Sequence, residues 1–150
     1  MKKTLDQGNI NPETLEALLS PDYLPSDEEE FMSPMQRAYF YKKLKVWRQS
    51  LLEDADRTLE NLRHGRKEIE DEADTAFLES DQALELRAQD RQRKLISKID
   101  QAITRVLNGN YGYCKMTSEP IGIQRLNARP IAEFSLEGQI IHEEQERRRK

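Results

Sequence analysis

The sequence predicts a mainly α-helical protein built on a long antiparallel coiled-coil hairpin, followed by a small irregular module and a C-terminal helix. Three observations predict it. No proline occurs between Pro34 and Pro120. Apolar residues in that interval recur mostly three or four apart, as a helix seam requires. Charged residues make up 35% of the 150-residue chain and hydrophobic ones 36%, with only six Gly and six Pro, a balance that suits long solvated helices better than a thick core.

The first segment, residues 1–32, should hold a short helix after Asn11-Pro12-Glu13, because Asn11 is a capping residue and Pro12 suits the first helical position. Pro21, Pro25 and the acid run Asp27-Glu28-Glu29-Glu30 end it in a solvated linker.

Residues 33–108 form the hairpin. Ser33-Pro34-Met35-Gln36 is a helix start, since the Ser33 hydroxyl can accept from the Gln36 amide while Gln36 reaches back. One seam runs through Phe40, Leu44, Trp47, Leu51, Ala55, Leu59, Leu62, Ile69 and Ala73. A second runs through Phe77, Leu84, Ala88, Leu95, Ile99, Ala102 and Val106. The side chains of Asp71-Glu72-Ala73-Asp74-Thr75 compete with helical hydrogen bonding, which places the reversal near 71–76. Residues 33–70 as one helix would span roughly 57 Å. Neither arm buries its stripe alone, so the two should pack antiparallel.

Residues 109–135 change character. Asn108-Gly109-Asn110 reads as a helix stop, and Gly122 and Pro130 punctuate short apolar pieces with room for a two-stranded ribbon. Tyr113, Ile121, Ile123, Leu126, Ile131 and Phe134 are the candidates for packing on the hairpin base. Residues 136–150 form a charged helix whose Arg147-Arg148-Arg149-Lys150 complements the negative end of its dipole.

Composition narrows the functional classes. No apolar run reaches the ~18 residues of a membrane helix, and Met1-Lys-Lys-Thr-Leu-Asp-Gln-Gly lacks a signal-peptide core, so a cytoplasmic protein without membrane contact is expected. One cysteine excludes an internal disulfide. The net charge of −4 disfavours sequence-blind nucleic-acid binding.

The charges segregate along the rod. Glu68, Glu70, Asp71, Glu72, Asp74, Glu79 and Asp81 crowd the tip, whereas Arg87, Arg91, Arg93, Lys94 and Lys98 follow with only Asp90 opposing them. An acidic point entering a cationic or metal-bearing cavity, with basic residues seated on an acidic rim, suits that pattern. A rod whose charges merely keep it soluble is the plainer alternative. Asp71 and Asp74 as an acid–base pair are disfavoured, because a tip supplies no water-excluding walls, and no nucleophile, cofactor loop or metal cluster points to an enzyme. Cys114 and Thr117 have the spacing of half a zinc knuckle, and Ser135 and Gly138 repeat it. Zinc needs about four nitrogen or sulfur ligands, so a degenerate zinc-finger-like module holding no zinc is expected, with Cys114 packed rather than reactive.

Three stretches then resemble the DksA family of bacterial transcription factors, nearly end to end. They are Phe31-Met32 through Phe40, Leu44 and Trp47-Arg48 to Leu51; Asp71 to Ala76 with Leu84 to Arg87 and Asp90 to Ile99; and Tyr111-Gly112-Tyr113-Cys114 with Ile121 to Pro130. The resemblance implies a monomeric factor that inserts its coiled coil into the secondary channel of RNA polymerase and alters initiation, without sequence-specific DNA contact. It further implies that Asp71, Asp74 and Ala76 are tip residues near the polymerase's catalytic elements and that Arg91 seats the rod on the channel rim. Leu95, Lys98 and Arg129 match positions that form, with polymerase, a site for the alarmone ppGpp of the stringent response. The family's four-cysteine zinc motif survives only as Cys114, and Gln139 stands where the pattern has a basic alarmone-binding residue. A Gre-type transcript-cleavage factor and a plain coiled-coil scaffold are the rival readings.

Overall fold

The computed structural model describes residues 8–69 and 75–149, without the side chains of residues 65–69 and 75–78. Five helices follow in order: α1 (Pro12–Leu18), α2 (Pro34–Ile69), α3 (Thr75–Asn108), α4 (Ile123–Ala128) and α5 (Leu136–Arg149). Among the described residues the only sheet-like pairing is one antiparallel bridge, Tyr113 with Pro120, so the ribbon expected in 109–135 is reduced to a single rung. No described helix is long and apolar enough to cross a membrane.

The chain divides into two compact units. One combines the residues up to Lys45 with those from Asp100 onward; the other is Val46–Ile99.

The first unit holds the core. Leu15, Phe40, Leu44, Ala102, Val106, Tyr111 and Leu126 are essentially inaccessible, and Met32, Tyr41, Cys114, Ile121, Ile123 and Ala132 are buried beside them. Asn11 caps α1 by accepting from the Glu13 amide at 3.0 Å. At the start of α2 the Ser33 hydroxyl accepts from the Gln36 amide at 3.3 Å, and Gln36 Oε1 accepts from the Met32 amide at 2.7 Å. Gln36 does more than cap. Its Nε2 donates to Ser26 O and to Glu29 Oε2, which also accepts from the Tyr23 hydroxyl. Burial, and then the Glu29 carboxylate, push the Tyr23 phenol up to about 12. The acid run expected as a solvated linker has exposed side chains at Asp27, Glu28 and Glu30, and Ser26 and Glu29 tie it to the first turn of α2.

Helix α3 ends in a way that recruits residues from far along the chain. Gly109 adopts φ 86°, and the Asn110 amide donates to Arg105 O at 2.9 Å, the bond that closes a helix terminus of this kind. The last carbonyls are taken by Arg37, whose Nε and Nη2 donate to Val106 O at 3.1 and 2.6 Å while Nη2 also reaches Leu107 O at 3.3 Å and Gly8 O at 3.0 Å. Ile10 N adds a bond to Leu107 O at 2.8 Å. Arg37 is 4% exposed, and burial pulls its pKa below that of a free guanidinium.

The second unit is the paired arms. On α2, exposure is reduced at Trp47, Arg48, Leu51, Leu52, Ala55, Thr58 and Leu62; on α3, at Gln82, Glu85, Ala88, Gln89, Gln92, Leu95, Ile96 and Ile99. Along each helix these residues contain a run of steps of three and four, the signature of a heptad seam. The expected apolar series is corrected at two places. Leu59 is 41% and Leu84 59% exposed, whereas Gln82, Glu85, Gln89 and Gln92 line the α3 seam together with the expected Ala88 and Leu95. The seam follows the strict 3.5-residue phase set by Ile99 and Ile96, and that phase passes through the glutamines and not through Leu84. Ile69 and Phe77 lie outside the described side chains, and Ala73 lies outside the described residues.

A polar seam has a measurable cost. Gln89 Nε2 is buried with no hydrogen-bond partner, and a buried unsatisfied donor costs about 1–3 kcal/mol. Gln89→Leu is therefore expected to stabilise this unit by about 1 kcal/mol. Trp47 is the chain's one tryptophan and lies in this unit, so its fluorescence during urea unfolding reads that change. An unchanged or lower midpoint would show that the amide is satisfied in solution.

Candidate functional site

Two regions carry residues singled out by sequence: the α3 arm and the irregular module. On α3, Arg91, Leu95 and Lys98 are spaced four and three apart, which puts them on one face of the helix. Arg91 and Lys98 are exposed and Leu95 is half-buried. Arg87 and Lys94 add exposed cations nearby, Lys94 paired with Asp90 at 3.1 Å. This arm therefore presents an aliphatic side chain flanked by long cationic ones, an arrangement able to engage anionic groups. Arg129 belongs to the other unit. It caps α4 by donating its backbone amide to Arg125 O at 2.8 Å, with an exposed side chain. Asp71 and Asp74 lie outside the described residues, and Ala76 falls in the first turn of α3 with its side chain outside them. Gln139 is half-buried on α5 and donates to Glu143 Oε1 at 3.0 Å.

The module is built from turns pinned to α2 and α3. Tyr111 packs at a tilt against Phe40, ring centroids 5.5 Å apart, and donates its hydroxyl to Pro130 O at 2.7 Å. Gly112 turns the chain at φ 92°, where a Cβ would come within 3.1 Å of Met32 Cγ and Phe31 Cζ, so that close approach requires glycine. Lys43 on α2 donates to Asn127 O at 3.0 Å, and Glu133 bridges Lys115 at 3.0 Å and Arg105 at 3.4 Å. Tyr113, Ile131 and Phe134 are half-buried; Tyr111, Ala132 and Cys114 join Ile121, Ile123 and Leu126 in the core.

The four knuckle positions do come together. The Cys114 sulfur takes hydrogen bonds from the side chains and backbone of Ser135 and Thr117, the Gly138 amide donates to Ser135 Oγ at 3.0 Å, and a Cβ on Gly138 would lie 2.2 Å from Cys114 Sγ. One thiol, two hydroxyls and a glycine do not make a zinc site. The space that a fourth ligand side chain would need is filled by the cysteine sulfur itself. Among the described residues no group of three or more His, Cys, Asp or Glu is placed to hold a metal.

These hydrogen bonds set the thiol's chemistry. Burial pushes the Cys114 pKa up, but the bonds from Ser135 and Thr117 outweigh it and hold the thiol down at about 6, against an ordinary 9.0. A group with a depressed folded pKa stabilises the fold above its unfolded pKa and loses that contribution as pH falls through the folded value. Relative to Cys114→Ala, the protein's stability should therefore climb between about pH 6 and 9, by at most about 4 kcal/mol. Parallel pH profiles of the two proteins in chemical denaturation would refute the assignment.

Helical arms with a segregated basic face and a knuckle module with a single thiol define a protein-binding regulator. The comparisons give the family. A model described as the DnaK suppressor protein DksA, N-terminal domain, matches residues 36–106. The chain is similar to the RNA polymerase-binding transcription factor DksA of Caulobacter vibrioides (strain NA1000 / CB15N), at 52% identity over 84% of this chain and 89% of that one. It is also similar to the protein of the same description from Escherichia coli (strain K12), at 36% identity over 83% of each chain. The solved structure of transcription factor DksA2 from Pseudomonas aeruginosa superposes with a TM-score of 0.72 at 33% identity, covering 89% of this chain and 98% of that one. The chain belongs to the DksA family.

Proposed function

We propose that this protein is an RNA polymerase-binding transcription factor that inserts its hairpin into the secondary channel of the bacterial enzyme and modulates initiation together with ppGpp. The observation that carries this reading is the 52% identity, over most of both chains, to a relative described as an RNA polymerase-binding transcription factor. Such relatives are transcription factors, and the chain is not an enzyme. The exposed cationic face of α3 supports the same reading, because Arg91 suits an acidic rim. Leu95 and Lys98, together with Arg129, suit a phosphorylated effector, since charge-assisted bonds to phosphate are short and strong. Asp71, Asp74 and Ala76 form the tip that acts near the polymerase's catalytic elements. The protein works in the cytoplasm as a monomer, without zinc and without sequence-specific DNA contact.

The test is transcription in vitro from a ribosomal RNA promoter with purified polymerase. Asp74→Asn should abolish inhibition while leaving polymerase affinity within about threefold, under 1 kcal/mol. Lys98→Ala should remove most of the increment added by ppGpp, since a charge-assisted hydrogen bond contributes about 1.5–3 kcal/mol. No effect of a folded, monomeric protein under any condition would leave the scaffold reading. Cleavage of transcripts in stalled complexes would point to the Gre type.

A further inference from the structure

One surface of the first unit borders the knuckle at Ser135 and lies apart from the residues of the hairpin seam. An open groove of about 460 Å³ lies where the acid run, the turn at Glu119, the start of α4 and the start of α5 meet. Its floor is aliphatic, formed by Ile121 and Ile123, which are buried, and by Gly122, over which no atom lies within 4 Å of a would-be Cβ. Leu136 lines one side with 70% of its surface exposed, and Ile140, one helical turn further along α5, is 58% exposed. The apolar strip thus continues beyond the groove, because residues four apart share a helix face.

The rim is acidic. Asp27, Glu119 and Glu137 all line the groove and are exposed. The cation at the site, Arg125, is committed inward through Nε to Phe134 O at 2.8 Å. Asp27 does not float freely, because its neighbours Ser26 and Glu29 are bonded to Gln36. The geometry points to a docking site for a basic segment of a protein partner, in which an aliphatic side chain fills the Ile121–Ile123 floor beside Leu136 and adjacent lysines or arginines meet Asp27, Glu119 and Glu137. The volume falls within the ~300–1,000 Å³ that accommodates a short ligand, and the strip along α5 gives a footprint longer than a small molecule needs.

A second copy of this chain fits less well. Its Arg147–Arg149 offer the right charge, but two exposed aliphatic side chains fall far short of the ~800 Å² per partner of a stable dimer. The site does not rest on the polymerase reading, which draws on other residues.

The experiment uses the full chain with isotope-labelled isoleucine and leucine methyls, titrated with a synthetic amphipathic peptide of leucine and lysine and with its glutamate-for-lysine counterpart. Saturable shifts confined to Ile121, Ile123, Leu136 and Ile140 are expected with the lysine peptide only. Leu136→Ser and the pair Glu119→Gln with Glu137→Gln should each weaken binding about tenfold, the size of a lost anchor or of a lost charge pair. Shifts spread over α2 and α3, equal binding of the glutamate peptide, no shift in the folded unsubstituted protein, or unchanged binding in the folded variants would overturn the proposal. So would concentration-dependent shifts at the same methyls without peptide, which would assign the groove to a second copy.

Discussion

Arg37→Ala is expected to unfold the first unit at markedly lower denaturant concentration, with a loss of about 3–4 kcal/mol. The side chain is nearly inaccessible and supplies donors to the carbonyls of Val106, Leu107 and Gly8. Alanine leaves the buried Val106 O without a partner and takes a donor from the half-buried Gly8 O and Leu107 O, the latter keeping the Ile10 amide, and a buried unsatisfied polar group costs about 1–3 kcal/mol. Lysine should recover only part of the loss, because one ammonium cannot reproduce the fork that contacts three carbonyls. The optical probes separate the units: the five tyrosines all lie in the first and the tryptophan in the second. Tyrosine signals should report the early transition more strongly than Trp47 does. A shift under 1 kcal/mol would show that water replaces the guanidinium at no great cost.

The second large effect is expected at Gly138. A methyl there would sit 2.2 Å from Cys114 Sγ, so the sulfur must turn away and give up its bonds to Ser135 and Thr117. Overpacking of this kind costs about 1–3 kcal/mol. Gly138→Ala alone should therefore destabilise the protein by about 2 kcal/mol, whereas in a Cys114→Ala background it should cost much less. The double-mutant cycle reads this coupling directly. Additive effects would mean that the sulfur and the glycine do not compete for one space.

Much of the architecture was legible because it depends on local rules. The absence of proline from 35 to 119, the Ser33–Gln36 start and the Asn11–Pro12 cap each act within a turn of helix, and α1, α2, α3 and α5 begin and end close to where those rules place them. The seam was only half legible. Counting apolar residues favours Leu59 and Leu84, but a coiled coil keeps a phase, and here the phase runs through Gln82, Gln89 and Gln92. The clamp at Arg37 was invisible for a different reason: its acceptors lie 69 and 70 residues away, and no spacing rule links them. At the candidate site, the helical face of Arg91, Leu95 and Lys98 follows from periodicity alone. The knuckle spacing showed which four residues would meet. It did not show that hydroxyls would hold the sulfur where a metal would otherwise stand.

The division of the chain also bears on how its length can change over evolutionary time. The first unit is discontinuous in sequence, closed by Arg37 and Ile10 on the end of α3, and Val46–Ile99 enters and leaves it as a single insertion. Removing seven residues from each arm keeps every remaining seam position in register and shortens each helix by about 10 Å. Deletions that are not whole heptads turn the glutamine seam away from its partner arm. The insertion can therefore lengthen or shorten in whole heptads without touching Arg37, Tyr111 or the knuckle, so a change of arm length leaves the contacts that close the first unit in place.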